Sequence, residues 1–268
     1  MHISAHGIRS IGESRSRAIG SARAVHRRRV TGAAALTLAL ALGVSGCAAG
    51  AAEPGADRSV TVVVHDSFPV EEFAVAASVA TGYEVEVITA GDGGELTNTL
   101  VLTAGAPIAD AFFGVDNVFA SRVVDYDVVE PYLPEALPPR ARDYAYDAQG
   151  SLSAVTLGAT CINIDPAWFA ERGLAEPNTY EDLTDPAYRG LTVLLDPTSS
   201  STGASFLMGT VARFGEDAFP EYWQQLVEND VRIEQGWTEA YNGRFTQGGG
   251  SGTAPIVLSY SSSPAWTI

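Results

Sequence analysis

The apolar positions change rhythm along the chain, and each rhythm predicts an element. Residues 59–64 (SVTVVV) form a nearly unbroken β-branched run, the pattern of a strand buried on both faces. Residues 71–80 (EEFAVAASVA) predict a short helix that stops at Thr81-Gly82, with glycine as its C-cap. Residues 84–89 (EVEVIT) alternate as a strand, 95–104 read as a second helix, and 108–113 as a third strand running into Gly114-Val115-Asp116-Asn117. This β-α-β-α-β order implies parallel strands with helices on the sheet faces.

The middle of the chain is looser, broken by Pro131, Pro134, Pro138 and Pro139. Beyond it, strands are predicted at 153–156, 160–164, 191–195, 231–234 and 256–259. Helices are predicted to start at 166–171 and 179–183 and to span 204–214, 218–228 and 238–245. Residues 248–252 (GGGSG) are a low-complexity loop, and no internal repeat is present.

Charge changes the picture. The 268 residues carry a formal net charge of −16, and every basic side chain but the histidines is Arg. Residues 1–46 hold seven of the Arg and one acid, whereas the remaining 222 residues hold nine Arg and 31 acids. The basic stretch ends in Arg27-Arg28-Arg29 and is followed by the apolar run 32–44 (GAAALTLALALGV), which is too short for a permanent span. Basic residues before a short apolar run have the layout of an export signal. The run ends in Val44-Ser45-Gly46-Cys47, which resembles a bacterial lipobox, so Cys47 is expected to carry a lipid. The small and polar residues 47–58 then read as a flexible tether.

The acidic body excludes binding to a nucleic-acid backbone, which requires a basic face. Two cysteines exclude a disulfide framework and a Cys-rich zinc site. One histidine, His65, follows the leader, so a multi-histidine metal site is excluded as well. At 46% hydrophobic and 9% aromatic, the body has the material for a core.

Three places invite chemistry. The strand 191–195 runs into Asp196-Pro197-Thr198-Ser199-Ser200-Ser201-Thr202-Gly203 and then a helix. Hydroxyls and free N–H groups there suit either an anion or ordinary helix capping. Gly236-Trp237-Thr238-Glu239-Ala240-Tyr241 follows another strand, with Trp237 and Tyr241 on one helix face; Tyr260 and Trp266 lie after a third. These aromatics either join the core or stack on a flat or cationic ligand. Asp92-Gly93-Gly94 and Gly114-Val115-Asp116-Asn117 place acids at strand ends, where they either cap turns or neutralise a cation. His65-Asp66-Ser67-Phe68 ends the first strand, but adjacency is not triad geometry. Cys161 lies in an apolar strand and reads as a core thiol.

From about Val60 to Ile268, these segments in this order resemble the thiamine-binding lipoproteins and periplasmic proteins that serve thiamine ABC importers. The resemblance implies an α/β, type II periplasmic-binding-protein fold with ligand enclosed between two hinged lobes. The lobes are expected at 59–155 and 156–255, with 256–268 returning to the first. Such a protein is a receptor, not an enzyme, and needs neither cofactor nor metal. The resemblance further implies that Asp92 and Gly93 contact the aminopyrimidine of thiamine. Ser200 and Ser201 would meet its hydroxyethyl or phosphate end, and Trp237, Tyr260 and Trp266 would wall the rings. His65 and Trp266 stand where many relatives carry Tyr; Asp116 and Tyr241 are supporting residues. The implied partners are an ABC transporter permease and, through Cys47, the outer face of the cytoplasmic membrane, with the receptor a monomer. Relatives continue beyond this end, so the first lobe is expected to lack its C-terminal part. Ferric iron or a polyamine are the alternatives on the same fold, the former weakened by Tyr260 having no adjacent Tyr. A secreted hydrolase using His65, Asp66 and a Ser, and a ligand-silent scaffold, are more remote.

Overall fold

The computed structural model describes residues 58–266, Trp266 by its backbone alone. The expected export signal, Cys47 and the expected tether up to residue 57 lie outside the described residues. The β-branched run forms β1 (Ser59–Val64), flanked in parallel by β2 (Glu84–Thr89) and β3 (Ala111–Phe113) in the order β2-β1-β3. Val62 pairs with Val87 on one side and Ala111 on the other, and Val63 and Val64 are fully buried, as a central strand requires. The crossovers are α1 (Val70–Thr81) and α2 (Gly93–Leu102). Gly82 ends α1 at φ 73°, a left-handed conformation that glycine adopts without strain, and its N–H donates to the Ser78 carbonyl. Leu96 and Leu100 of α2 pack on Val63 and on Val123 of the short helix α3 (Ala120–Asp125). The proline-rich stretch holds a further single turn, α4 (Pro139–Asp143).

A second, four-stranded sheet has the order β4-β7-β5-β6, with β4 (Thr160–Ile164), β5 (Thr192–Leu195), β6 (Arg232–Glu234) and β7 (Ile256–Tyr260). β4 runs antiparallel to β7, and the other pairings are parallel. Helices α5 (Pro166–Arg172), α6 (Ser201–Phe214) and α7 (Phe219–Glu228) flank it. Its core is larger and includes Phe169, Leu183, Leu194, Phe206, Tyr222, Leu226, Tyr241 and Leu258.

Several expectations change here. The strand predicted to begin the return to the first lobe at 256 instead lies between β4 and β5 in the second sheet, because Ile256, Val257 and Leu258 are apolar on both faces and fill a central position. Residues 153–156 have no ladder partner. α2 starts two residues earlier than predicted, at Gly93, because the Asp92 side chain caps it. The segment expected as a helix at 238–245 is a π-helical turn, Thr238–Arg244, and that at 179–183 is a short 3-10 turn, Glu181–Thr184.

Candidate functional site

The C-terminal ends of the strands in both sheets meet, which is where parallel α/β sheets leave a crevice for ligands. Asp92 is the joint. Its Oδ1 accepts from the Gly93 N–H at 2.6 Å, capping α2, while Oδ2 accepts from the backbone N–H of Trp237 at 3.0 Å. One carboxylate therefore serves the first helix turn of one sheet layer and the turn after β6 of the other.

The N-terminus of α2 sits directly on the loop before α6. Gly94 and Glu95 both donate their N–H to the Ser199 carbonyl, at 2.8 and 3.3 Å. A Cβ on Gly94 would meet the Thr198 carbonyl oxygen at 2.6 Å, and one on Gly93 would run into the Ser201 hydroxyl. Two side-chain-free residues are what allow the seat. Beneath it Ser200 is fully buried and Ser201 nearly so, and the Ser200 hydroxyl shares a hydrogen bond with that of Thr202 at 3.0 Å. The hydroxyls expected to greet a ligand anion are thus covered by α2.

His65 ends β1. Its Nδ1 lies 3.0 Å from the Ser67 hydroxyl, and its ring packs edge-on to Phe68. Gly114 backs the ring at φ 123°; a Cβ there would lie 2.9 Å from His65 Cδ2. Burial pushes the imidazole below its ordinary value, opposed by the charges of Asp92 and Asp66. Asp116 is a turn residue: its Oδ1 accepts from the N–H groups of Val118 and Phe119, at 2.9 and 3.0 Å. Tyr260 ends β7. Burial, and then the Asp92 and Asp116 charges, push its phenol far above the ordinary range, so it stays a neutral hydroxyl.

Trp237 stacks on Tyr241, ring centroids 4.9 Å apart and planes within 10°. Its Nε1–H donates to the Ser259 hydroxyl at 2.7 Å. Tyr241 itself belongs to the core, 1% exposed, so it supports Trp237 from behind. The Trp266 side chain lies outside the described residues.

Between these groups lies a crevice lined by Asp66, Ser67, Asp92, Gly236, Trp237, Thr238 and Glu239. It encloses only about 10 Å³, room for roughly one water. Asp66 is held there by the Gly91 N–H, which its Oδ1 accepts at 2.9 Å. Of the candidates, the structure brings together His65, Asp92, Gly93, Trp237 and the end of β7 at Tyr260. It does not bring Tyr241 to the crevice. Sequence reasoning put Asp66 forward only for the remote hydrolase alternative and did not single out Glu239 or Ser259; an acid two positions after an interfacial Trp and a serine closing an apolar strand are the signals that mark these two. Three carboxylates line the crevice and no basic side chain does, so the arrangement suits a cation beside an indole. Among the described residues no cluster of three or more His, Cys, Asp or Glu side chains is placed to hold a metal ion, and no helix is long and apolar enough to cross a membrane.

Comparison with known proteins agrees with this architecture. Residues 106–265 match the family described as bacterial extracellular solute-binding protein. The chain is 28% identical over 234 residues to a thiamine-binding periplasmic protein of Brucella abortus, covering 79% of this chain and 61% of the relative. Among solved structures it resembles a periplasmic thiamin binding protein (TM-score 0.60, 22% identity, 78% of this chain and 63% of that one). It also resembles the binding protein AfuA of Actinobacillus pleuropneumoniae with fructose-6-phosphate bound (TM-score 0.66, 21% identity, 78% and 66%). The chain thus spans about three-fifths of the length of the curated relatives it matches.

Proposed function

The chain belongs to the bacterial extracellular solute-binding proteins, and from that membership we propose that it is an exported receptor that takes up thiamine and hands it to an ABC importer. The fold is that of type II periplasmic binding proteins, and the family is one of receptors rather than enzymes. One observation supports the ligand class above others: Asp66, Asp92 and Glu239 converge beside Trp237 with no basic side chain among the lining residues. Thiamine carries a permanent thiazolium charge on a flat ring system, which carboxylates attract and an indole stacks upon. The relative from Brucella abortus, named for thiamine, adds to this reading.

In this proposal the two sheet layers are lobes that part to admit the ligand. Asp92 and Gly93 receive the aminopyrimidine, and Trp237, Tyr260 and His65 bound the rings, with Asp116 at the margin. Ser200 and Ser201 serve a phosphate only if α2 withdraws from the loop before α6, so unphosphorylated thiamine is the preferred form. The protein acts as a monomer, held to the membrane through Cys47, and meets the importer's permease when closed.

Isothermal titration of the purified protein tests the reading. Thiamine is expected to bind, thiamine monophosphate more weakly, and spermidine and ferric iron not to compete. Trp237→Ala should weaken thiamine binding by more than about tenfold, equal to roughly 1.4 kcal/mol. A folded protein that gives no heat with thiamine sinks the proposal.

A further inference from the structure

Ser259 is out of place by hydrophobic patterning. It continues the run Ile256-Val257-Leu258 on a central strand and is fully buried, where an aliphatic side chain would fill the space without a polar group to satisfy. Its hydroxyl is occupied on two sides, accepting from Trp237 Nε1–H at 2.7 Å and lying 2.7 Å from the hydroxyl of Ser263. Ser263, 3% exposed, in turn accepts from the backbone N–H of Tyr260 at 3.2 Å.

The chain of bonds has a direction. An indole N–H and a backbone N–H only donate. Each serine oxygen therefore receives one bond from an aromatic residue, and one serine must donate to the other. If Ser263 were that donor, the Ser259 hydrogen would be stranded at the fully enclosed position. Donation from Ser259 to Ser263 leaves the remaining hydroxyl hydrogen at the less enclosed end.

We propose that Ser259 and Ser263 are positioning residues that lock the Trp237 indole and the Tyr260 backbone into one preset wall of the ligand site. Tyr241 fixes the plane of the indole by stacking; the serine pair fixes its rotation within that plane and ties it to the turn after β7. Neither serine lines the crevice, so both act through the aromatics. The consequence for affinity rests on the thiamine reading above, but the geometric lock does not. A preset wall spends less ordering entropy when ligand arrives, so losing the lock weakens binding without removing a ligand contact.

The test is NMR of the indole N–H groups in the ligand-free protein, with the Trp237 resonance assigned by its loss in Trp237→Phe. Ser259→Ala is expected to shift that resonance and to speed its exchange with water by about tenfold or more, as a buried donor loses its partner. Ser263→Ala leaves the indole its acceptor but strands the Ser259 hydroxyl hydrogen, and is expected to shift the resonance as that hydroxyl turns. The Trp223 indole, bonded to the Thr210 hydroxyl at 3.0 Å, is the internal control and stays put. Ser259→Thr keeps an acceptor and is expected to retain the wild-type signal. Thiamine affinity should fall about fivefold or more in both alanine variants and recover in Ser259→Thr. If Ser259→Ala does not fold, Ser263→Ala and Ser259→Thr still decide the matter. An unmoved Trp237 resonance in folded Ser259→Ala, or in Ser263→Ala, overturns the lock; so does weakened binding with the resonance unchanged. A wild-type protein that fails to bind thiamine overturns the ligand assignment instead and leaves the indole measurement standing.

Discussion

Tyr241 carries a hydroxyl that its surroundings do not serve: the side chain is 1% exposed and its OH has no hydrogen-bond partner. Stacking on Trp237 and packing near Phe245 account for the ring alone. Tyr241→Phe should therefore keep the stack and raise stability by about 1 kcal/mol, since a buried unpaired polar group costs on that order. Urea unfolding reads this directly, and a loss of stability would mean that the hydroxyl has a partner after all. His65 offers a second check. Burial lowers its folded-state pKa below the ordinary 6.5, so the unfolded chain takes up the proton first. Its contribution to stability is complete above that ordinary value and is lost as pH falls through the folded one. Stability of the wild type should thus decline more steeply from pH 7.5 to 5, an acid range of about that width being set by the histidine, than stability of His65→Gln. Parallel profiles would show that the ring is solvated. At this scale the sequence marks residues by type. It shows that Trp237 and Tyr241 share a helix face, but not which one faces the crevice, because that depends on how the π-helical turn packs against β7.

The elements were legible where a single force dominates. β1 and β5 are runs of β-branched and apolar residues at central positions of their sheets, and that pattern alone marks them as strands. The C-cap at Gly82 was readable for the same reason, since a left-handed residue ends the helix. Legibility failed where tertiary contact decides. Asp92 extends α2 by capping it, but its second oxygen is claimed by Trp237, 145 residues away. β7 was misplaced because an apolar strand does not say which sheet it enters; its register against β4, Cys161 opposite Ser259, is set by the fold. The glycine pair at the head of α2 is the element-scale feature with the sharpest consequence. Gly94→Ala would thrust a methyl group to 2.6 Å from the Thr198 oxygen and 2.8 Å from the Ser199 carbonyl, both backbone atoms that cannot rotate away. The seat between α2 and the loop before α6 should then fail, at a cost of about 1–3 kcal/mol in chemical denaturation. An unchanged denaturation midpoint would show that the helix end is free to shift.

At the scale of the molecule, the numbers that matter are a charge and a volume. Residues 47–268 carry nine Arg against 31 acids, a field that draws cations toward the crevice and weakens with salt. Yet the crevice encloses about 10 Å³, whereas a site for a small organic ligand needs about 300 Å³ or more. On the proposed reading the layers must part before thiamine enters, and among the described residues the backbone N–H bonds that tie them include Gly94 to the Ser199 carbonyl, with Glu95 sharing the acceptor, and Trp237 to Asp92. Opening on this scale is slow beside diffusional encounter. Stopped-flow quenching of tryptophan fluorescence is therefore expected to give an association rate that rises with thiamine at first and then levels off at the opening rate. The plateau should be insensitive to salt, because it reports a motion within the protein, while the initial slope should fall as salt screens the acidic field. A rate that climbs linearly with thiamine throughout would mean that the open form prevails in solution and that the seat of α2 on the loop before α6 forms only after the ligand is bound.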